Sequence, residues 1–344
     1  MNPMLAHRNH STLGTGLRLL QQNKRLLLWV YLANLLTGLL PALAYHRQVS
    51  GILDHSFAAQ RIAGRLDLSY LIELLQHTTK NGMGVYALFS LLALGYCVFS
   101  FILAAGIYYV FATGERPTLA VVERSGIEYF WRFVRITLFA LLISLPTLGI
   151  LAVLRNVLLK HADNVYVGRS FFFISMGTFA IVAIVAVFLR FWFDIAEAYV
   201  VQLGENGDRR VRRSVIPAWR LLWERFFSNY VSYLFIGILG WLGFSFFLWF
   251  WAVGVPPRLV GLAWVVGQLA IVCLLFARIW QRGMATAIVY SAPASEPFVA
   301  ASYPVVPTLG PTSVIPEDHP QDAPQDAAEP PAAANSIDPA SQAG

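Results

Sequence analysis

Six long apolar stretches decide what class of structure this chain can adopt. They fall at about 26–45, 85–112, 133–154, 171–200, 230–253 and 259–291. Most hold eighteen or more residues with few or no charges, the length that crosses about 30 Å of hydrocarbon at about 1.5 Å per residue. Only 13% of the 344 residues are charged, where a soluble domain carries about a quarter. Trp29, Tyr31, Tyr108, Tyr109, Trp131, Trp219, Trp223 and Tyr230 lie near the ends of the runs, as rings seated at headgroup level do. A soluble helical core would need shorter runs separated by water-facing surface. The strands of a membrane β-barrel would alternate polar with apolar residues. The expected fold is therefore all-α, a six-helix transmembrane bundle within residues 1–290.

Basic residues orient such a bundle better than net charge does. Sixteen of the twenty-five fall on one side if Arg8, Arg18, Lys24 and Arg25 share it with the loops around Arg124 and Arg212 and with Arg278 and Arg282. Within that set, Arg209, Arg210, Arg212, Arg213, Arg220 and Arg225 form a dense basic face. Eight others fall on the opposite side, spread over a longer total length. The expected placement is a bacterial cytoplasmic (inner) membrane, multi-pass, with both termini cytoplasmic and the basic face against anionic lipid headgroups. The first run begins only after Lys24 and Arg25 and has no clear small-x-small site behind it, so it reads as a retained helix and not a cleaved signal.

Three short stretches resemble one another: Gly16-Leu17-Arg18-Leu19-Leu20, Gly126-Ile127-Glu128-Tyr129-Phe130 and Ala218-Trp219-Arg220-Leu221-Leu222. Each precedes an apolar pair. The second and third belong to segments, 118–132 and 211–226, whose apolar residues recur every three and four positions, the period of a helix lying in the membrane interface. Pro217 is expected to kink or end a turn in the third. The unit reads as an interfacial amphipathic helix plus two membrane helices, repeated three times. The connections between the paired spans differ. The first is about forty residues long, with an amphipathic segment at 61–76. The second is about fifteen residues, and the third is a tight turn at Pro256-Pro257. Beyond Tyr290 lie eleven of the eighteen prolines and seven acids but no Lys or Arg. Residues 292–344 therefore read as a disordered Pro/Ala-rich acidic cytoplasmic tail, a candidate for docking a protein partner.

Chemistry is sparse. No HExxH, CxxC or phosphate-binding glycine loop occurs, so no metal site and no cofactor is expected. The seven histidines are scattered through termini and loops. Cys97 and Cys273 sit inside apolar runs and read as small hydrophobes. No basic soluble module suited to nucleic acid is present. The only dense charged cluster associated with a span is Arg190, Asp194 and Glu197 at i, i+4 and i+7. They share one helical face, and the spacing lets Arg190 pair with Asp194. Charge at membrane depth pairs, faces a protein interior or snorkels to the boundary. The cluster reads as a polar site or as a helix lock. Gly237, Gly240 and Gly243 form a small-residue track for close helix contact.

The layout of one amphipathic helix before two spans, over residues 13–290, resembles a broad group of bacterial integral membrane proteins. That group includes the six-helix membrane domain found beside glycerophosphodiester phosphodiesterases. Residues 191–207, with Asp194, Glu197 and Gly204 ahead of a basic amphipathic helix, carry the closest local likeness. The companion phosphodiesterase domain is absent, and with it the activity the resemblance would imply. Two functions are expected from these readings. One is a non-enzymatic structural or assembly component of the cell envelope. The alternative is a small transporter or lipid-handling protein with a cavity near Arg190, Asp194 and Glu197. An embedded enzyme ranks behind both.

Overall fold

A computed structural model describes residues 11–53, 83–165, 168–207, 210–256 and 258–291. The chain divides into two units, Met1–Pro293 and Ala294–Gly344. The second unit, the tail expected over 292–344, lies outside the described residues, as do the amphipathic segment expected at 61–76 and Arg209. The described residues form eight α-helices: α1 Thr12–Gln22, α2 Lys24–Leu53, α3 Met83–Thr113, α4 Leu119–Val165, α5 Arg169–Glu205, α6 Arg212–Glu224, α7 Phe226–Gly254 and α8 Val260–Ser291. Six of them, α2, α3, α4, α5, α7 and α8, are long and apolar enough to cross a membrane. The protein is thus an all-helical bundle of membrane-spanning composition.

The short helices owe their ends to local chemistry. Ser11 caps α1, its hydroxyl accepting from the Gly14 amide at 3.2 Å, which satisfies one of the orphan donors of the first turn. Asn23 interrupts α1 and α2 for a single residue, donating its side-chain amide to the Leu19 carbonyl at 2.9 Å. Arg225 likewise parts α6 from α7 by a single residue, without a side-chain cap. Helix α4 differs from the sequence expectation. The segment 118–132 is not a separate interfacial helix, because no cap or breaker parts Arg132 from Phe133 and one helix runs through to Val165. At 47 residues it is about 70 Å long, more than twice the thickness of the hydrocarbon layer. The loop expected after it shrinks from about fifteen residues to the stretch 166–168. Helix α6 also continues through Pro217. As the sixth residue of the helix it removes the bond its amide would have made to the Arg213 carbonyl, without ending the helix.

Burial is concentrated at one end of the bundle. Charge-free windows of about 30 Å separate Arg135 from Arg155 on α4, Arg169 from Arg190 on α5, and Arg258 from Arg278 at α8. The buried core clusters at the Arg135, Arg190 and Arg278 end. It includes Ala104–Ala112 on α3, Phe133 and Ile136 on α4, Phe191–Val201 on α5 and Ile279–Tyr290 on α8. Toward the other end the same helices expose large apolar side chains, among them Leu142, Phe173, Trp241 and Val260. The asymmetry has a physical cause. Water drives apolar side chains together, whereas lipid tails are as apolar as leucine and leave helices no such reason to close.

The short helices close the basic end. Helix α1 lies on α8, where Gly16 and Gly283 bring the two backbones together: a Cβ on Gly16 would stand 2.7 Å from the Met284 amide nitrogen. Trp280 Nε1 donates to the Leu13 carbonyl across the same contact at 3.0 Å. The first turns of α4 lie on α3, Gly126 against Ile102 and Gly106 against Val122. Helix α6 lies on α5, with the Trp192 and Trp219 ring centroids 4.8 Å apart and Trp192 Nε1 donating to the Val215 carbonyl at 3.4 Å. Gly16, Gly126 and Ala218, the small residues of the three related stretches, are all buried. On α7, Gly237 meets Gln281, Gly240 meets Ala277 and Gly243 meets Cys273, so all three members of the glycine track seat α7 on α8.

Candidate functional site

The most polar part of the interior lies where α5, α7 and α8 meet. Asp194 on α5 is 1% exposed. Arg278 on α8 binds it bidentately, Nη1 donating to Oδ2 at 2.5 Å and Nη2 to Oδ1 at 2.6 Å. Tyr233 on α7 donates its hydroxyl to Oδ2 at 2.5 Å. Each carboxylate oxygen accepts at least one charge-assisted hydrogen bond, the geometry in which an Arg–carboxylate pair is strongest. The partners are held in turn. Tyr233 packs its ring on Phe191 at 4.7 Å between centroids. Gln281 donates to the Tyr233 carbonyl at 3.3 Å and accepts from Arg278 Nη1 at 3.5 Å.

Arg190 takes a lesser part than the i, i+4 spacing suggested. Its Nε stands 3.7 Å from Asp194 Oδ1, outside hydrogen-bond range, and its side chain is 58% exposed. The dominant partner of Asp194 is Arg278, 84 residues away in sequence. The sequence expectation had placed Arg278 among the boundary arginines only. A signal was present: Asp194 with Glu197 on one span and Arg278 with Arg282 on another are complementary pairs near the same ends of their spans.

Glu197 lies one turn beyond Asp194 and turns inward. Its Oε2 is buried, as are Tyr108 Oη, Arg282 Nε and Arg278 Nε, and none of these atoms finds a hydrogen-bond partner among the described residues. The Arg282 guanidinium carbon lies 5.9 Å from the Tyr108 ring centroid, within reach of a cation–π attraction. Gly204, at the end of α5, lies beneath Tyr129 and Arg132 of α4, where a Cβ would collide with both side chains. The other basic residues expected to form a face, Arg210, Arg212, Arg220 and Arg225, are exposed, and Arg213 is half-buried. Among the described residues no group of three His, Cys, Asp or Glu side chains stands close enough to hold a metal ion.

Beside Asp194, α5, α7 and α8 bound an open groove of about 700 Å³. Arg190, Tyr233, Arg278 and Gln281 line one end of it, and the remainder is almost wholly apolar. No family profile, no curated protein and no solved structure matches this chain.

Proposed function

We propose that this protein is a non-enzymatic structural or assembly component of a bacterial inner membrane, with both termini and the packed basic end in the cytoplasm. The observation that carries this reading is the state of Asp194. Arg278 and Tyr233 engage both of its oxygens, so the most polar interior group serves to tie three helices together. The closed basic end, with Arg212, Arg220 and Arg225 exposed, suits a body that sits against anionic lipid and a partner. We further propose that the bundle is built from three related units. The shared burial of Gly16, Gly126 and Ala218 supports that descent, and so does the way each short amphipathic segment packs on a long helix of another unit. The layout likeness to the membrane domain beside glycerophosphodiester phosphodiesterases fits the same scheme.

Extraction in mild detergent followed by native gel separation tests the assembly role. The full chain is expected to migrate in a complex that is lost when residues 292–344 are deleted. A full-length protein that migrates as an isolated chain overturns it. Reporter fusions at both termini test the orientation, and an external location for either end removes it.

The groove favours a second reading, a lipid-handling protein. Vesicles reconstituted with the protein would then speed lipid exchange between leaflets, and Arg190→Ala and Asp194→Ala variants that remain folded would slow it. Equal rates in the three proteins remove these residues from any such mechanism.

A further inference from the structure

The groove beside the lock has the length and the charge pattern of one lipid. Along α7 its wall runs from Tyr233 to Ser245, twelve residues and so about 18 Å of helix. That is close to one leaflet of a hydrocarbon layer about 30 Å thick. Its volume of about 700 Å³ lies within the range of sites that enclose a small ligand, about 300–1,000 Å³. The polar end is at the level of Arg190 and Arg278, where the charge-free windows of α5 and α8 stop. The apolar end rises toward the middle of the helices, past Trp241.

Charge decides the headgroup. Two guanidiniums line the polar end, and no carboxylate lines the groove at all. Asp194 stands behind that wall and is engaged by Arg278 on both oxygens. Among the described residues Arg190 is therefore left with one distant ion pair, Nε at 3.7 Å from Oδ1, and a largely exposed side chain. A planar guanidinium at this depth suits a phosphate oxygen pair, and a positive site in an apolar surface gains most from an anionic partner because the surroundings screen it poorly.

We propose that this groove seats one anionic glycerophospholipid of the leaflet at the basic end, with an acyl chain along α7 and the phosphate on Arg190. The seat goes beyond the assembly reading and requires no lipid flux, so neither result above decides it.

Native mass spectrometry of the full chain, reconstituted in vesicles of phosphatidylglycerol or of phosphatidylcholine and then stripped with detergent, tests it. The expected result is one phosphatidylglycerol retained per chain and little phosphatidylcholine. Arg190→Ala is expected to lower retention at least about tenfold, the loss that accompanies one charge-assisted contact. Arg190→Lys should recover part of it. Ala183→Trp fills the groove wall without touching the charge and should also expel the lipid. Arg135→Ala removes an exposed arginine at the same end but outside the groove and should leave retention unchanged. Equal retention of both lipids overturns the headgroup assignment. Equal losses in Arg190→Ala and Arg135→Ala, or normal retention in folded Arg190→Ala, overturn the seat, as does a second copy of the chain held in place of lipid.

Discussion

Asp194 and Arg278 meet across the α5–α8 contact with two parallel N–H···O bonds, 2.5 and 2.6 Å long, and the carboxylate is almost wholly removed from solvent. Arg190, four residues from Asp194 on the same helix, stands off at 3.7 Å. The pair that joins distant spans is therefore the strong one, and the pair within one helix is peripheral.

Asp194→Ala should cost up to about 3–5 kcal/mol, because it strands a guanidinium that is only partly exposed, at 21%. Arg190→Ala should cost less than about 1 kcal/mol, the worth of an exposed ion pair. Reversible unfolding in detergent measures both. Replacing Asp194 and Arg278 together by Leu and Met should recover most of the loss, since an apolar pair leaves no stranded charge. A large effect of Arg190→Ala with a small one of Asp194→Ala would reverse the assignment of partners.

Tyr233→Phe keeps the ring on Phe191 and removes one donor to Asp194. The expected cost is about 1.5–3 kcal/mol, the value of a hydrogen bond to a charged group. Tyr108→Phe should behave in the opposite way. Its hydroxyl is buried without a partner among the described residues, so removing it should leave stability unchanged or raise it by about 1 kcal/mol, and the ring remains to face Arg282. Unfolding midpoints of the two variants, compared side by side, check the contrast.

Gly16→Val should loosen α1 from α8. A Cβ there would lie 2.7 Å from the Met284 nitrogen and 2.9 Å from its Cα, and these are backbone atoms that cannot swing aside. Overpacking of this kind costs about 1–3 kcal/mol. Faster proteolysis within residues 11–23 is the expected readout. Gly149→Ala, which meets nothing within 4 Å in mid-helix, should be neutral or stabilising by up to about 1 kcal/mol.

Gly240→Leu should part α7 from α8, because a side chain at that position runs into the Ala277 methyl. Cys273, which packs on Gly243 in the same contact, should then react faster with a maleimide in detergent. Unchanged labelling would mean that the α7–α8 contact does not depend on the glycine track.

The long helices were legible in the sequence because a span is a local property: about twenty residues without charge suffice, whatever their neighbours. The same local reasoning placed Asp194, Glu197 and Arg190 on one face and marked Gly240 and Gly243 for close contact. It failed where continuity depends on what is missing. Nothing between Arg132 and Phe133 stops a helix, and an amphipathic stripe alone could not tell an interfacial helix from the first turns of α4. It also paired Asp194 with Arg190, which the structure keeps at 3.7 Å, but spacing along one helix could not see that α8 adds Arg278.

The apolar runs by themselves determined that the chain is helical and suited to a membrane, because each run must satisfy its own backbone wherever water is excluded. Only the tertiary structure decided where those helices close on one another, that Arg278 takes the carboxylate, and that a groove with an arginine-lined end is left beside it. Those outcomes follow from packing between segments many residues apart, which no local pattern of charge and apolar residues encodes.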